Sequence, residues 1–278
     1  MILFRKQMMC GVLLLSTVLL LIVAVPGQAE PFDHEHATWN LLVKNNVHWN
    51  LNRTASQVNY AGFQKTHDFL KRYLFSLSAV TRAEFDTFSR EQQLAFLINA
   101  YNAFTVELIL TEYPEVKSIK ELGSLFSSPW KRKFFLLLGE SQNLDGLEHD
   151  LIRGSGRYDE PLIHFAVNCA SIGCPALLDE AFVADKLDQQ LLESTERFLQ
   201  DRRRNRFNVK TGTLEVSSIF DWYEVDFTRG WRGYDSLDDF FHIHADWIVD
   251  EGQDSERLRG GGLRFEFLDY DWTLNSLN

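Results

Sequence analysis

The sequence predicts an α+β fold that is mostly helical, with a small mixed or antiparallel sheet, in a single domain. Three observations support this prediction. The first half of the chain carries several segments with apolar residues at helical spacing. Short strand-like runs occur mainly in the second half, among further helices. The regular alternation of strand and helix that marks a parallel βαβ sheet does not occur.

The first helices are marked by apolar residues on one side of the helix. They are predicted over residues 39–47 and 68–78, and a shorter one begins after Thr81. A longer helix begins after Ser89, because Ser89 and Gln92 form a capping-box pattern. This helix continues to about residue 110 and is apolar on nearly every side, which predicts that it is buried.

Two amide side chains interrupt the apolar surface of that helix. Asn99 and Asn102 are three residues apart and therefore share a face. A buried amide without a hydrogen-bond partner costs about 1–3 kcal/mol, so each must bind something. Two interpretations follow: the amides hold the backbone of a neighbouring loop, or they orient a catalytic group.

The second half of the chain mixes strands and helices. A strand and turn are predicted over residues 134–140, and a helix over residues 143–153. Residues 162–168 form a short apolar run that we interpret as a central strand, ended by Gly173 and Pro175. The remaining predicted elements are a helix over residues 185–200, a hairpin over 207–216, helices over 219–227 and 238–248, and a strand over 264–268.

The first 29 residues have the three parts of a secretory signal peptide. Arg5 and Lys6 precede an apolar run, and Gly27 and Ala29 occupy the small-residue positions of a cleavage site. We therefore predict one domain over residues 30–278 that is periplasmic or secreted. The alternative is an uncleaved membrane anchor, for which the apolar run is near the lower length limit.

The chain is acidic, with a formal net charge of −11 at pH 7. Loss of the signal peptide would make the charge more negative, because that segment holds Arg5 and Lys6 and no acid. This charge disfavours nucleic acid and anionic lipid as partners. We predict no nucleic-acid partner and no strong membrane association after cleavage. The partner that we expect is a small-molecule substrate or a ligand in the cell envelope. The sequence leaves the oligomeric state open.

Two cysteines remain once the signal peptide is removed, Cys169 and Cys174. An even pair in an oxidising compartment most often forms a disulfide. One interpretation is therefore structural: a Cys169–Cys174 disulfide would stabilise a loop in a non-catalytic binding or assembly factor of the cell envelope.

The same region also suits a cysteine nucleophile. Such a nucleophile needs a base within reach, and His164 and His149 are the candidates. If the residues between His164 and Cys169 are extended they span roughly 16 Å, so His164 serves only if the strand ends early and folds back. Backbone N–H groups of the small residues after Cys169 could bind an oxyanion. With Asn99 or Asn102 as orienter or oxyanion donor, the sequence predicts a thiol-dependent acyl hydrolase or transferase.

A metal site is a further possibility for the same side chains. Glu148, His149, His164, Cys169 and Cys174 are chemically adequate ligands. Their spacing matches no standard zinc pattern. We therefore predict no metal and no cofactor.

Five segments of the chain resemble the DUF547 family. In chain order they are FLINAYNA at 96–103, LEH at 147–149, HFAVNCASIGCPAL at 164–177, SIFDWYEVDF at 218–227 and YDWTLN at 270–275. The resemblance is to exported bacterial proteins of uncharacterised function, so it implies no particular reaction. Similar plant proteins tend to carry serine at the position of Cys174, which implies that Cys169 has the more general role.

Overall fold

Helices supply most of the regular structure. The computed structural model describes residues 31–124, 127–250 and 255–277. The predicted signal peptide lies outside the described residues and remains a prediction. The α-helices of the described chain are α1 Ala37–Asn46, α2 Tyr60–Lys65, α3 His67–Ala79, α4 Arg82–Phe85, α5 Arg90–Leu110, α6 Leu144–Gly146, α7 Leu187–Leu199, α8 Ile219–Trp222, α9 Glu224–Phe227, α10 Leu237–Ile243, α11 Ala245–Ile248 and α12 Ser255–Arg259.

The long predicted helix is confirmed as α5, and it is the centre of the core. Ser89 Oγ accepts from the N–H of Gln92 at 3.1 Å, and the Gln92 side chain accepts from the N–H of Ser89 at 2.9 Å. This is the predicted capping box. Among the described residues, α5 alone is long and apolar enough to cross a membrane, but 94% of its apolar window is buried inside the protein.

The strands are short and form three small sheets within the described residues. β1 (Val47–Trp49) pairs with β2 (Ser56–Val58), and β3 (Phe135–Leu137) pairs with β4 (Glu140–Gln142), both antiparallel. In the third sheet β6 (Thr213–Ser217) lies between β5 (Arg206–Asn208), which is antiparallel to it, and β7 (Arg264–Leu268), which is parallel. The α+β prediction with a small mixed sheet is confirmed.

The predicted central strand over residues 162–168 is wrong. Pro161–Phe165 is a 3₁₀ helix, and the Glu160 side chain caps it by accepting from the N–H of Leu162 at 3.0 Å. Pro161 lacks an N–H and has a φ suited to the first turn of a helix. Because residues 161–168 are buried on every side, their apolar run has no alternation that could separate strand from helix.

Two segments of less regular structure complete the fold. Leu147–Arg153 is a π-helical segment that continues directly from α6. Residues 270–277, here called the C-terminal segment, bind three distant parts of the backbone. Leu274 N–H donates to Lys117 at 2.7 Å, Asn275 N–H to Ala170 at 3.1 Å, and Leu277 N–H to Val58 at 2.9 Å. The described residues from Phe32 onward form one compact unit.

Candidate functional site

A cavity of about 200 Å³ is lined by the π-helical segment, the 3₁₀ helix and the C-terminal segment. Its chemically active lining includes Glu148, His149, His164, Cys169 and Cys174. The rest of its wall is largely aromatic, formed by Tyr101, Trp130, Trp222, Tyr223, Tyr270 and Trp272. The 3₁₀ helix that replaces the predicted strand thus places His164 and Cys169 at one cavity.

His164 is paired with a carboxylate that the sequence reasoning did not identify. Its Nε2 lies 2.8 Å from Oδ2 of Asp226, in α9. Arg153 Nε donates to the same oxygen at 2.5 Å, and Arg229 donates to Oδ1. The Asp226 side chain is completely buried. An imidazole and two guanidinium groups therefore share one enclosed carboxylate.

The charges of this pair decide which nitrogen of His164 carries the proton. Burial alone would raise the pKa of Asp226, but hydrogen bonds from His164 and Arg153 outweigh it and hold that pKa well below its usual value. Burial lowers the pKa of His164, opposed in part by its hydrogen bond to Asp226. An ionised Asp226 is acceptor-only, so the neutral ring donates Nε2–H to it and keeps a lone pair on Nδ1. That Nδ1 is buried and has no hydrogen-bond partner in the described structure.

Cys169 forms a disulfide with Cys174, as the structural interpretation of the two cysteines predicts. The hydroxyl of Tyr270 lies 3.1 Å from Cys169 Sγ and 3.2 Å from Cys174 Sγ. Ser171 Oγ lies 3.2 Å from Cys169 Sγ. The Tyr270 ring can lie this close because residue 173 is glycine: a Cβ there would be 2.9 Å from its ring carbons.

Four backbone N–H groups of the loop after Cys169 already have acceptors within the protein. The N–H groups of Ala170, Ile172, Gly173 and Cys174 all donate within the protein. Their acceptors are Asn168 Oδ1 and the carbonyl groups of Thr273, Asp271 and Ser171. The C-terminal segment therefore accepts from Ile172 and Gly173, and Gly173 is one of the small residues predicted to bind an oxyanion.

Asn99 and Asn102 hold neighbouring backbone and do not line the cavity. The Asn102 amide donates to the carbonyl of Ala166 at 2.9 Å and accepts from the N–H of Asn168 at 2.8 Å. Asn99 makes the same pair of bonds to Phe182, at 2.7 Å and 3.0 Å. These are the loop-holding contacts that the first interpretation of the two amides expects. Asn102 thereby positions the short segment between His164 and Cys169.

His149 lies at the edge of the cavity and is partly exposed. Its Nδ1 is 2.5 Å from Nη1 of Arg153, and its Nε2 is 3.7 Å from a carboxylate oxygen of Asp145. Since arginine only donates, Nδ1 must be the acceptor in that contact. The lone pair of His149 is therefore occupied, whereas that of His164 is free, and His164 is the better placed candidate base.

Glu148 is the most unusual polar group at the cavity, and the sequence reasoning treated it only as a possible metal ligand. The residue is 5% exposed, and its Oε1 has no hydrogen-bond partner in the described structure. Burial raises the pKa of Tyr101 and of Tyr223, and the charge of Glu148 raises both further, so the carboxylate lies beside both hydroxyls.

The described residues contain no group of three or more His, Cys, Asp or Glu side chains arranged to hold a metal ion. Glu148, His149, His164 and the cysteines line one cavity without forming a ligand set.

Comparison with known proteins gives one match. The family model DUF547, described as a protein of unknown function, matches residues 85–199. Residues 85–199 are therefore similar to this family of unknown function. The matched region contains α5, the π-helical segment, His164 and both cysteines, while Asp226 and the C-terminal segment follow it in the chain. No curated protein and no solved structure matches the chain.

Proposed function

We propose that this protein is a thiol-dependent acyl hydrolase or transferase of the periplasm or the extracellular medium. One observation carries the proposal: the buried His164–Asp226 pair, with its free Nδ1, lines the same cavity as Cys169. A nucleophile, a base and a group that orients the base are the three parts of this chemistry. The roles are Cys169 as nucleophile, His164 as base and Asp226 as orienter.

The reaction requires the reduced protein, because a disulfide sulfur is not a nucleophile toward an acyl carbon. A thiol or dithiol reductant first splits the Cys169–Cys174 bond and is itself oxidised to a disulfide. His164 Nδ1 then accepts the Cys169 thiol proton, and the thiolate forms a bond to the acyl carbon. The leaving group departs with the proton that the imidazolium returns. Water or an acceptor nucleophile finally displaces the Cys169 sulfur, again with His164 as base.

The two cysteine variants separate this role from a structural one. Cys174→Ser frees the Cys169 thiol, so we expect it to hydrolyse p-nitrophenyl acetate without a reductant, at least about 100-fold faster than Cys169→Ser. Wild-type protein should gain the activity when treated with a phosphine reductant. Mass spectrometry should detect an acetyl group on Cys169. Equal rates for the two variants, both shown to be folded by thermal melting, would contradict the proposal.

A second candidate function is a non-catalytic binding or assembly factor of the cell envelope. It is favoured by the intact disulfide and by the internal hydrogen bonds of the four loop N–H groups. If this function is correct, each cysteine variant loses the same amount of stability. That loss should be below the roughly 3 kcal/mol of a 15-residue loop, since the closed loop is shorter. Neither variant should then form an acyl adduct.

Export is tested on the protein recovered from cells. If residues 1–29 are a signal peptide, the mature chain begins at Glu30, and its intact mass and N-terminal sequence should show this. The protein should also appear in the periplasmic or extracellular fraction. A chain that retains residues 1–29 and fractionates with membranes would instead support the anchor alternative.

A further inference from the structure

The Glu148 carboxylate is buried at the cavity without a complete set of hydrogen-bond partners. The residue is 95% enclosed by its surroundings, being 5% exposed, and its Oε1 accepts no hydrogen bond in the described structure. A buried carboxylate oxygen without a donor is costly, and native proteins pair such groups. A donor from a ligand in the cavity would complete its hydrogen bonding.

No positive charge of the protein neutralises Glu148. None of the ion pairs among the described residues includes it. Arg153, the nearest arginine along the same segment, is turned to Asp226 and His149. Of the described residues that line the cavity, none is lysine or arginine, and Asp145 adds a second carboxylate at its edge. The cavity therefore favours a cation over a neutral or anionic ligand.

The aromatic wall of the cavity also favours a cation. Trp222 stacks on Trp272 at 5.7 Å between ring centroids, and Tyr270 packs against both at 4.9 Å and 4.5 Å. Indole faces attract cations through their quadrupole. The protein already uses this attraction here, since the Lys120 ammonium lies 3.8 Å from the Trp272 ring centroid. Trp222 is 46% exposed, so this wall can be reached from solvent.

We propose that the cavity binds the protonated amino group of a small ligand, with Glu148 as its anionic acceptor and the indole rings of Trp222 and Trp272 as its wall. The ammonium donates to Glu148 Oε1 and is held by the electron-rich ring faces. Tyr101 and Tyr223 offer hydroxyl oxygens beside the same carboxylate. The size of the cavity, about 200 Å³, suits a compact ligand.

The amine site also indicates a substrate class for the proposed acyl chemistry. If Cys169 is the nucleophile, the acyl group that it accepts carries a protonated amine, as an aminoacyl ester or amide does. This statement about the substrate rests on the proposed function. Binding of the amine does not, because it needs neither a free thiol nor His164 as base.

The test compares two ligands that differ in one group. L-alaninamide carries a protonated amine, and L-lactamide has the same shape with a hydroxyl in its place. Binding to oxidised wild-type protein is followed by NMR and by tryptophan fluorescence at concentrations up to about 10 mM. We expect alaninamide to bind at least tenfold more tightly than lactamide, and Glu148→Gln to weaken alaninamide at least tenfold. Asp150→Asn, the matched control on the exposed side of the same π-helical segment, should change the Kd less than threefold.

Separate control measurements test whether the Glu148→Gln variant folds and whether it binds the amine. Glu148→Gln removes a buried unpaired charge without changing the side-chain size, so it should melt at the same or a higher temperature than wild type. Equal affinity for the two ligands, no detectable alaninamide binding, or full binding by Glu148→Gln would overturn the amine site. Because binding is measured with the disulfide intact, inactivity of Cys174→Ser in the ester assay would count against the thiol chemistry alone.

Discussion

Asp226→Ala should lower the free energy of unfolding by about 3–5 kcal/mol, because it breaks a buried ion pair from one side. Arg153, Arg229 and His164 all bind this carboxylate and would lose their shared acceptor. Urea denaturation of the reduced and oxidised protein measures the change. Asp221→Ala is the matched control: Asp221 lies in the neighbouring helix α8, is exposed, and should change stability by no more than about 0.5 kcal/mol.

The rate of ester hydrolysis gives a second test of the role of the Asp226 carboxylate. Asp226→Asn keeps the size of the side chain but replaces an acceptor with a group that can also donate. The amide can donate to Nε2 of His164, so the ring can adopt the tautomer that carries its proton on Nδ1. In a Cys174→Ser background we expect ester hydrolysis to fall by a factor on the order of 10²–10⁴. The rate should not respond to Asp221→Asn. An Asp226→Asn variant that is folded and fully active would contradict the orienting role of Asp226.

Stability should also fall steeply between pH 6.5 and pH 4.5. Burial lowers the pKa of His36 and of His244 to about 4, and lowers that of His164 as well. In the unfolded chain a histidine titrates near 6.5. Below that pH the unfolded chain binds protons that the folded protein does not, so the free energy of unfolding decreases as the pH falls. A shift from 6.5 to about 4 is worth on the order of 3 kcal/mol per group.

Urea titrations at several pH values test this expectation. Asp226 contributes little to the change in this window, because its pKa is lowered in the folded protein and its stabilisation is lost only below about pH 4. His244→Gln should reduce the decrease, since the His244 ring is buried against the Tyr234 hydroxyl at 3.0 Å. The exposed neighbour His242 provides the control, and His242→Gln should leave the decrease unchanged. A flat profile from pH 7 to pH 4.5 would contradict the expectation.

Local signals in the sequence were sufficient for α5 and for the hairpin of β5 and β6. The Ser89–Gln92 capping box is decided by residues three apart, and the presence of a hairpin over residues 207–216 is indicated by the short turn between its strands. The structure places both as expected. Such elements are predictable because their determining contacts lie within a few residues along the chain.

The site could be predicted only in part, because its decisive contacts join distant residues. Asp226 follows His164 by 62 residues, and its helical neighbours carry no sign that it faces an imidazole. The resemblance to DUF547 included the segment 218–227 but gave Asp226 no role. The prediction of a strand over residues 162–168 is wrong for a different reason: full burial removes the periodicity that separates short helices from strands.

The C-terminal segment has a consequence for how the protein is made. Tyr270 contacts the sulfurs of Cys169 and Cys174 across 101 and 96 residues, and Tyr60 binds Asn275 across 215 residues. Contacts that close such long loops form late in folding. Because Tyr270 follows the two cysteines by 101 and 96 residues, the growing chain presents both thiols before Tyr270 is synthesised to cover them. The oxidation state of the pair can therefore be set during biosynthesis, before the finished cavity restricts access to it.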